Sequence, residues 1–329
     1  MKSNVKPRCG PVDAVRKLKA MGKEIIAVLA SDIHLSHAMP SARSDADWYA
    51  AMAGQLRQLE HTRQEAGMSV PIFVAGDLFD KWNSPPELVN FALEHLSECW
   101  AVCGQHDLPH HDWGQIKRSA FWTMVETRRI HMLGHGQSAK VFRGDDNQSN
   151  LIVDGFGWGQ EIHPPSDSCK NIVRLAVVHA YCWLPGKGHP EAKRDALAGK
   201  WRRKLKGYDA AVFGDNHVGH LLDIGEGCKI LNCGTFMRRR IDERGYRPRI
   251  GLLDSEGGIH VAYLDCSGDK FADQPDTAKA VGDFSGLVEE LKAEGDGGLD
   301  FAEAVKRHDW EKHGDDVGRY ALSLLEGEK

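Results

Sequence analysis

Five short apolar runs, each followed directly by polar residues, constrain the fold of this 329-residue chain more than any other feature. The runs EIIAVLA, VPIFVA, CWAV, IVRLAVV and YDAAVF lead into SDIH, GDLFD, CGQHD, HAY and GDNH. Short apolar runs bounded by Gly and Asp are typical of buried β-strands. We therefore expect Asp, His and Gly residues to gather at the carboxyl ends of strands.

Helical segments separate these strands. Residues 45–67 have helical apolar spacing that stops at a glycine, and residues 84–99 begin with Ser84 as the expected N-cap and Glu87 three residues later. Alternating strands and helices predict a layered α/β domain. In such domains, ligands bind at the carboxyl ends of the strands.

Composition and charge divide the chain into three segments. We expect an N-terminal extension over 1–24, an α/β domain over 25–265, and a linker with acidic helices over 266–329. Residues 265–329 contain 17 Asp and Glu but only 8 Lys and Arg.

The N-terminus lacks the apolar region of a secretory signal, and no apolar run approaches the ~18 residues of a membrane span. The eight cysteines include no C-x-x-C pair, so we expect free thiols and a cytoplasmic location.

The polar residues at the strand ends form the candidate functional site. A single histidine after a strand is more often structural, but five such strings in order favour a shared site. Carboxylates and imidazoles that converge away from water are costly to bury unpaired, and divalent ions bind both. So many ligands suit two ions that share one carboxylate. The candidates are Asp32, His34, Asp77, Asp80, Gln105, His106, Asp107, His179, Asp215 and His217.

Two pairs of candidates have the spacing of strand neighbours. Asp32 and His34 are two residues apart, and so are Asp215 and His217. Side chains two residues apart on a strand point to the same face of the sheet. We therefore expect strand alternation to aim both members of each pair at the site.

These strings resemble the signature of the calcineurin-like metallophosphoesterases, which reads D-x-H, G-D-x-x-D, G-N-H-D, a lone His and G-H-x-H. The corresponding residues here are DIH at 32–34, GDLFD at 76–80, GQHD at 104–107, His179 and GDNH at 214–217. The segment NCGTFMRR at 232–239 is similar to the N-P-G-S stretch that follows in many members. The resemblance covers the domain over 25–265. It implies an α/β four-layer sandwich, with two mixed β-sheets flanked by helices, and a small helical C-terminal appendage.

Within this family, SDIHLS, GDLFDKWNSPPELVNFALEHL and GQHDLP are similar to the nuclease subunit of the SbcCD type and its relatives in DNA repair and in phages. That resemblance implies a DNA nuclease that works with an ATPase partner, and it leaves a homodimer open. Three alternatives remain: a small-molecule phosphatase, a cyclic-nucleotide phosphodiesterase, and a non-catalytic scaffold of the same fold. No membrane partner is expected.

The resemblance also implies a role for each candidate residue. Seven side chains would hold two divalent ions, Mn²⁺ or else Mg²⁺: Asp32, His34 and His217 on the first, Gln105, His179 and Asp215 on the second, and Asp77 on both. A hydroxide that bridges the ions would attack the phosphorus of a phosphodiester. His106 would protonate the leaving oxygen, and Asp80 would position its imidazole.

Two residues depart from the family pattern, and both belong to the second ion. Gln105 stands where Asn is usual, and Asp215 stands where His is usual. Gln offers the same amide oxygen on a longer stem, and Asp offers a hard anionic oxygen, so both can bind Mn²⁺ or Mg²⁺. We therefore predict a working site that favours hard ions. If Asp215 is no ligand, His220 and His110 are the next candidates.

Two basic stretches, KRDALAGKWRRKLK at 193–206 and RRRIDERGYRPR at 238–249, lie close in sequence to the last motifs. Either they are solvated faces or they contact a phosphate backbone. The nuclease hypothesis favours contact with DNA. The residues predicted to make it are Arg202, Arg203, Lys204, Arg238 and Arg239.

Overall fold

The structure is a computed structural model that describes residues 10–134, 138–142, 149–165, 172–189, 192–225 and 227–272. Residues 273–329, most of the segment in which a linker and acidic helices were predicted, lie outside the described residues. Among the described helices, none is both long enough and apolar enough to cross a membrane.

The described residues form twelve strands. In chain order they are β1 Ile25–Ala30, β2 Ile72–Ala75, β3 Cys99–Val102, β4 Ile130–Met132, β5 Ser138–Phe142, β6 Ser149–Phe156, β7 Val173–His179, β8 Ala210–Gly214, β9 His220–Leu222, β10 Lys229–Asn232, β11 Arg249–Asp254 and β12 Ile259–Tyr263. The five runs that the sequence marked as strands correspond to β1, β2, β3, β7 and β8, so that prediction is confirmed.

These strands form two mixed sheets. The first has the order β12-β11-β1-β2-β3-β4, and the second has the order β5-β6-β7-β8-β10-β9. Strands β1 to β4 pair in parallel, with β11 and β12 antiparallel at one side. Strands β6, β7, β8 and β10 also pair in parallel, between antiparallel β5 and β9. Each sheet therefore directs several carboxyl ends to one edge.

Helices cover the outer faces of both sheets. The described α-helices are α1 Pro11–Ala20, α2 Trp48–Ala66, α3 Pro86–His95, α4 Ala120–Glu126 and α5 Ala198–Lys204. Val15, Met52 and Phe91 from the first three belong to one apolar cluster with the first sheet. Ala198 of α5 belongs to another with Phe213 of the second sheet. The predicted α/β arrangement of two mixed sheets flanked by helices is confirmed.

A central apolar core lies between the two sheets. Leu29 and Phe73 from the first sheet and Val177 and Val212 from the second are fully buried in it. Val28, next to Leu29 in β1, instead belongs to the cluster under the helices. Strands covered on both faces need apolar side chains throughout, which is why these runs read as continuous rather than alternating.

Helix α3 begins differently from the prediction. It starts at Pro86, Pro85 occupies the N-cap position, and no side chain caps it. The hydroxyl of Ser84 instead donates to the carbonyl oxygen of Lys81 at 2.8 Å. The predicted N-cap at Ser84 is therefore wrong, because a residue before proline avoids the helical region and the second proline fits the first helical position.

The packed domain continues past residue 265, where the linker was predicted to begin. The backbone N–H of Ser44 donates to the Lys270 carbonyl oxygen at 3.0 Å, and that of Ala272 donates to the Ala42 carbonyl oxygen at 3.0 Å. The buried guanidinium of Arg43 pairs with Asp269 at 3.1 Å. Residues 266–272 are therefore tied to the loop before α2, which their small polar composition did not indicate.

Replacing Phe73 with Ala should lower the free energy of unfolding by about 3–5 kcal/mol, because its fully buried ring fills the space between the sheets. Met68 is 73% exposed, so Met68→Ala should change the same quantity by less than about 0.5 kcal/mol. Denaturant unfolding followed by tryptophan fluorescence measures both variants. Equal losses in the two would contradict the place given to Phe73 in the central core.

Candidate metal centre

The predicted ligands gather where the carboxyl ends of strands from the two sheets meet. Each lies at the end of a parallel strand or just beyond it. Asp32 and His34 follow β1, Asp77 follows β2, Gln105 follows β3, His179 ends β7, and Asp215 and His217 follow β8. The fold thus brings residues from both sheets into one cluster.

The three ligands predicted for the first ion lie together. One ligand atom each from Asp32, His34 and His217 lie within 4.8 Å of one another. The Nε2 atoms of His34 and His217 are 3.1 Å apart. Asp32 and His34 are buried, whereas the side chain of His217 is 38% exposed. This first cluster therefore has a floor inside the protein and one side open to solvent.

Asp77 lies between the first cluster and a second cluster, which is centred on His179 with Gln105 and Asp215 at its edge. The Oδ2 atom of Asp77 is 3.6 Å from His34 Nε2 and 3.5 Å from His179 Nε2. Asp32, Asp77 and His179 also bring one ligand atom each to within 4.8 Å of one another. A carboxylate in this place can serve both clusters, which is what a bridging ligand requires.

The two residues that depart from the family pattern contact each other. The amide Nε2 of Gln105 donates to Asp215 Oδ1 at 2.8 Å, and Gln105 Oε1 lies 2.6 Å from His179 Nε2. Asp215 is outside the groups of His and Asp ligand atoms that lie within 4.8 Å of one another in the described part of the chain. A longer amide and an acidic acceptor therefore form a matched pair at the edge of the second cluster. Metal ligation by Asp215 stays a prediction.

Unusual backbone conformations aim several of these side chains. β1 ends at Ala30 and β8 at Gly214, so the residues of interest lie beyond the strands. The expectation that strand alternation aligns each Asp with the His two positions later is wrong, because alternation holds only inside a strand. Instead, φ is +49° at Asp32, +48° at His34 and +77° at Asp215. Positive φ is uncommon for such residues, and this strain collects at functional sites.

Two glycines in the strand-end strings make room for the ligands. A Cβ atom at Gly76 would lie 2.1 Å from His179 Nδ1, and one at Gly104 would lie 2.0 Å from Asp77 Oδ1. Gly76 also has a φ of +79°, which glycine adopts without steric cost. The glycines of GDLFD and GQHD are therefore required by the close approach of the backbone to the ligands.

Burial and mutual charge set the protonation of the centre. Burial raises the pKa of Asp32 to about 6 and lowers the pKa values of His34 and His217. Burial, the largest single influence, lowers the pKa of His179, but the charge and hydrogen bond of Asp77 together with the charges of Asp32 and Asp215 raise that pKa to about 10. His34 and His217 therefore favour the neutral form, whose ring nitrogen has a lone pair for a metal ion.

The residues present fit two divalent ions. Asp32 Oδ2 and Asp77 Oδ2 are buried and accept no hydrogen bond from any residue that the structure describes. Such oxygens are costly to bury without a partner, and a cation is the partner that ionised carboxylates favour. His179 Nδ1 donates to the Ala75 carbonyl oxygen at 2.7 Å, which leaves Nε2 to face the centre. Oxygen and imidazole donors without a thiolate suit Mn²⁺ or Mg²⁺, while imidazole also admits zinc.

The predicted acid, His106, lies beside the two clusters. Its backbone N–H donates to Asp77 Oδ1 at 3.0 Å, and its ring Nδ1 donates to the backbone carbonyl oxygen of Asp80 at 2.9 Å. One ligand atom each from His34, Asp80 and His106 lie within 4.8 Å of one another, but the ring of His106 bonds the backbone of Asp80 and not its carboxylate. The Oδ1 atom of Asp80 lies 2.7 Å from the Arg239 guanidinium and 3.6 Å from His34 Nδ1. Asp80 therefore orients His106 through its backbone, a contact that the side-chain pattern could not reveal.

Asp107 joins the loops that follow β2 and β3. Its buried carboxylate accepts hydrogen bonds from the backbone N–H groups of Leu78, Phe79 and Gly104 at 3.0–3.2 Å. Burial, followed by the charge of Asp77, raises the pKa of Asp107 to about 7. Asp107 therefore holds the loop that carries Asp77 in place.

The basic residues of the second stretch have different environments. Arg239 forms an ion pair with Asp80 beside the metal centre, and its predicted contact with DNA stays a prediction. Arg238 is largely buried, pairs with Asp269 at 2.8 Å and donates to the Cys266 carbonyl oxygen at 2.5 Å. Its guanidinium is thus already engaged in holding residues 266–272 on the domain.

Arg202, Arg203 and Lys204 lie on α5, away from the centre. Arg202 and Arg203 line a cavity together with Gly227, which precedes β10. β10 runs parallel to β8, and the metal centre lies at the carboxyl end of β8. The start of β10 therefore faces the opposite end of the sheet, and contact between DNA and these α5 residues stays a prediction.

No protein-family model and no curated protein matches the chain. It is similar to a metallophosphoesterase from Sphaerobacter thermophilus at 13% identity and a TM-score of 0.32, covering 84% of this chain and 96% of that one. It is also similar to a dimetal phosphatase from Danio rerio at 10% identity and a TM-score of 0.38, covering 73% of this chain and 100% of that one.

Replacing Asp215 with Ala should reduce the number of bound Mn²⁺ ions from two to one, because Asp215 is the one carboxylate predicted to bind the second ion alone, Asp77 being shared with the first. Isothermal titration calorimetry and metal analysis of the saturated protein measure this number. Asp223, an exposed acid on the loop after β9, provides the control, and Asp223→Ala should bind two ions. Two ions in Asp215→Ala would show that another donor, His220 or His110 first, completes the second cluster.

Proposed function

We propose that this chain is a dinuclear metal-dependent phosphoesterase that hydrolyses phosphodiester bonds, with DNA as the substrate and Mn²⁺ as the metal. The observation that carries the proposal is the position of Asp77, whose Oδ2 lies 3.5–3.6 Å from an imidazole of each cluster. A shared carboxylate between two donor groups is the arrangement that two-metal phosphoryl transfer needs.

The chain's own residues supply the remaining parts of the reaction. When bound, the two ions lower the pKa of a water and neutralise charge on the phosphoryl oxygens. Asp32, Asp77 and the imidazoles would hold them, and the buried side of the centre excludes water. Because the Asp80 carbonyl oxygen fixes Nδ1 of His106 as a donor, Nε2 of its imidazolium is the atom that can protonate the leaving oxygen.

Exposure of the centre supports a large substrate. The side chain of His217 is 38% exposed and His106 is exposed, so the cluster opens at the surface instead of inside a closed pocket. The Arg239 guanidinium lies at the edge of this opening and offers charge to an anionic backbone. A long phosphodiester can lie across such an opening, whereas a small monoester gains nothing from it.

Purified protein with Mn²⁺ should cleave labelled single- or double-stranded DNA and bis(p-nitrophenyl) phosphate faster than p-nitrophenyl phosphate or a cyclic nucleotide. The open centre leaves room for both substituents of a phosphodiester, which is why we expect diesters to be cleaved faster. Asp77→Asn should lose this activity, which controls for a contaminating nuclease. Hydrolysis of the monoester alone would contradict the nuclease hypothesis and favour a small-molecule phosphatase. Inactivity on every ester would favour a non-catalytic scaffold.

Replacing His106 with Ala should lower the turnover number on DNA by about 10²–10⁴-fold, while Mn²⁺ stoichiometry stays at two. The loss should be much smaller on bis(p-nitrophenyl) phosphate, because nitrophenolate leaves without a proton. His131, a half-exposed histidine paired with Glu98, gives the control variant His131→Ala, for which both rates should match the unmodified protein. Equal losses on both substrates would contradict the role of His106 as the acid.

A further inference from the structure

A groove opens beside the metal centre, between the loops at 35–40 and 80–85. It has a volume of about 460 Å³, and its lining includes Arg239 and Lys81. We propose that this groove binds a second phosphate of a polynucleotide, next to the phosphate that is cleaved. The proposal rests on the phosphodiesterase function proposed above and adds to it a determinant of substrate class.

Arg239 gives the groove a cationic wall with an unused donor. Its side chain is 18% exposed, and one guanidinium nitrogen pairs with Asp80 Oδ1 at 2.7 Å. Its Nε atom is buried and has no hydrogen-bond partner among the described residues. A buried guanidinium donor without an acceptor is costly, and phosphate is one of the anions whose geometry its planar fork matches. The ion pair with Asp80 therefore leaves one donor of this guanidinium unsatisfied.

Lys81 adds a second positive charge at the mouth of the groove. It directly follows Asp80, is exposed, and makes no ion pair with any residue in the described ranges. The other basic residue that lines the groove, His37, lies 2.9 Å from the Tyr49 hydroxyl and 3.6 Å from Glu87, so it is already partnered. The cations available to a ligand are therefore Arg239 and Lys81, against the single carboxylate of Asp80.

The groove begins one side chain away from the first metal cluster. Asp80 Oδ1 contacts the Arg239 guanidinium on one side and lies 3.6 Å from His34 Nδ1 on the other. A strand whose cleaved phosphate lies at the metal centre would therefore extend its neighbouring phosphate toward Arg239. Apolar lining from Met39, Pro40 and Pro85 gives the sugar and base a surface to pack on. An ester with one phosphate cannot use the groove.

Thymidine dinucleotides test this proposal, because they differ only in a terminal phosphate. The catalytic efficiency, kcat/KM, is measured with Mn²⁺ for TpT, for pTpT with a 5′-phosphate, and for TpTp with a 3′-phosphate. The unmodified protein should prefer one of the two phosphorylated forms over TpT. Lys81→Ala should reduce that preference by about tenfold, mainly through KM, since a charged hydrogen bond is lost.

Two further variants sharpen the result. Arg239→Lys keeps the charge but loses the planar fork, so it should show a partial loss of the same preference. Lys200→Ala removes a lysine from α5, on the far side of the second sheet, and should keep the full preference. Loss of preference in Lys200→Ala as large as in Lys81→Ala would overturn the assignment to the groove.

The outcomes separate this proposal from the function on which it rests. Cleavage of all three dinucleotides at one rate, or an equal loss on all three in Lys81→Ala, would overturn the second-phosphate groove and leave the phosphodiesterase intact. If the protein cleaves neither the dinucleotides nor bis(p-nitrophenyl) phosphate, both the phosphodiesterase function and the groove proposal are overturned.

Discussion

The carboxylate of Asp77 is the constraint on which the rest of the site depends. It is fully buried, one of its oxygens accepts the His106 backbone N–H, and the other faces imidazoles from both sheets. A buried carboxylate with an oxygen that no described donor satisfies is tolerable only if a cation is near. The glycines, the left-handed backbone and the Asp107 tie all hold ligands close to this one group.

The two sheets make that convergence possible. Parallel strands send their carboxyl ends to a shared edge, and the central core around Leu29, Phe73, Val177 and Val212 fixes the distance between those edges. Because Asp32, His34, Asp77 and Asp215 have strained backbones with positive φ just beyond the strands, their side chains have little freedom of orientation. Rigid positioning of this kind limits the reorganisation needed when charge develops in a transition state.

The pair formed by Gln105 and Asp215 shows how the centre tolerates two unusual residues. The Gln105 amide N–H donates to Asp215, and its oxygen faces His179. Asp215 thus gives the longer amide an acceptor, and Gln105 gives the carboxylate a donor. Asp215 adds a negative charge beside the second cluster, and a carboxylate oxygen favours hard ions over softer ones. The ion pair of Asp80 with Arg239 works in the other direction, since it brings a positive charge to the edge where substrate would enter.

Much of the fold and the membership of the site could be predicted from the sequence, because both depend on local patterns. Continuous apolar runs specify strands buried on both faces, and polar strings after them specify which edge holds Asp32, Asp77 and His179. The orientation of those side chains could not be predicted, since it depends on positive φ values outside the strands. The Asp80 carbonyl contact with His106, the use of Arg238 to hold residues 266–272, and the groove at Arg239 were also decided by tertiary structure alone. Each depends on groups distant in sequence or on backbone atoms, and neither leaves a pattern in the order of side chains.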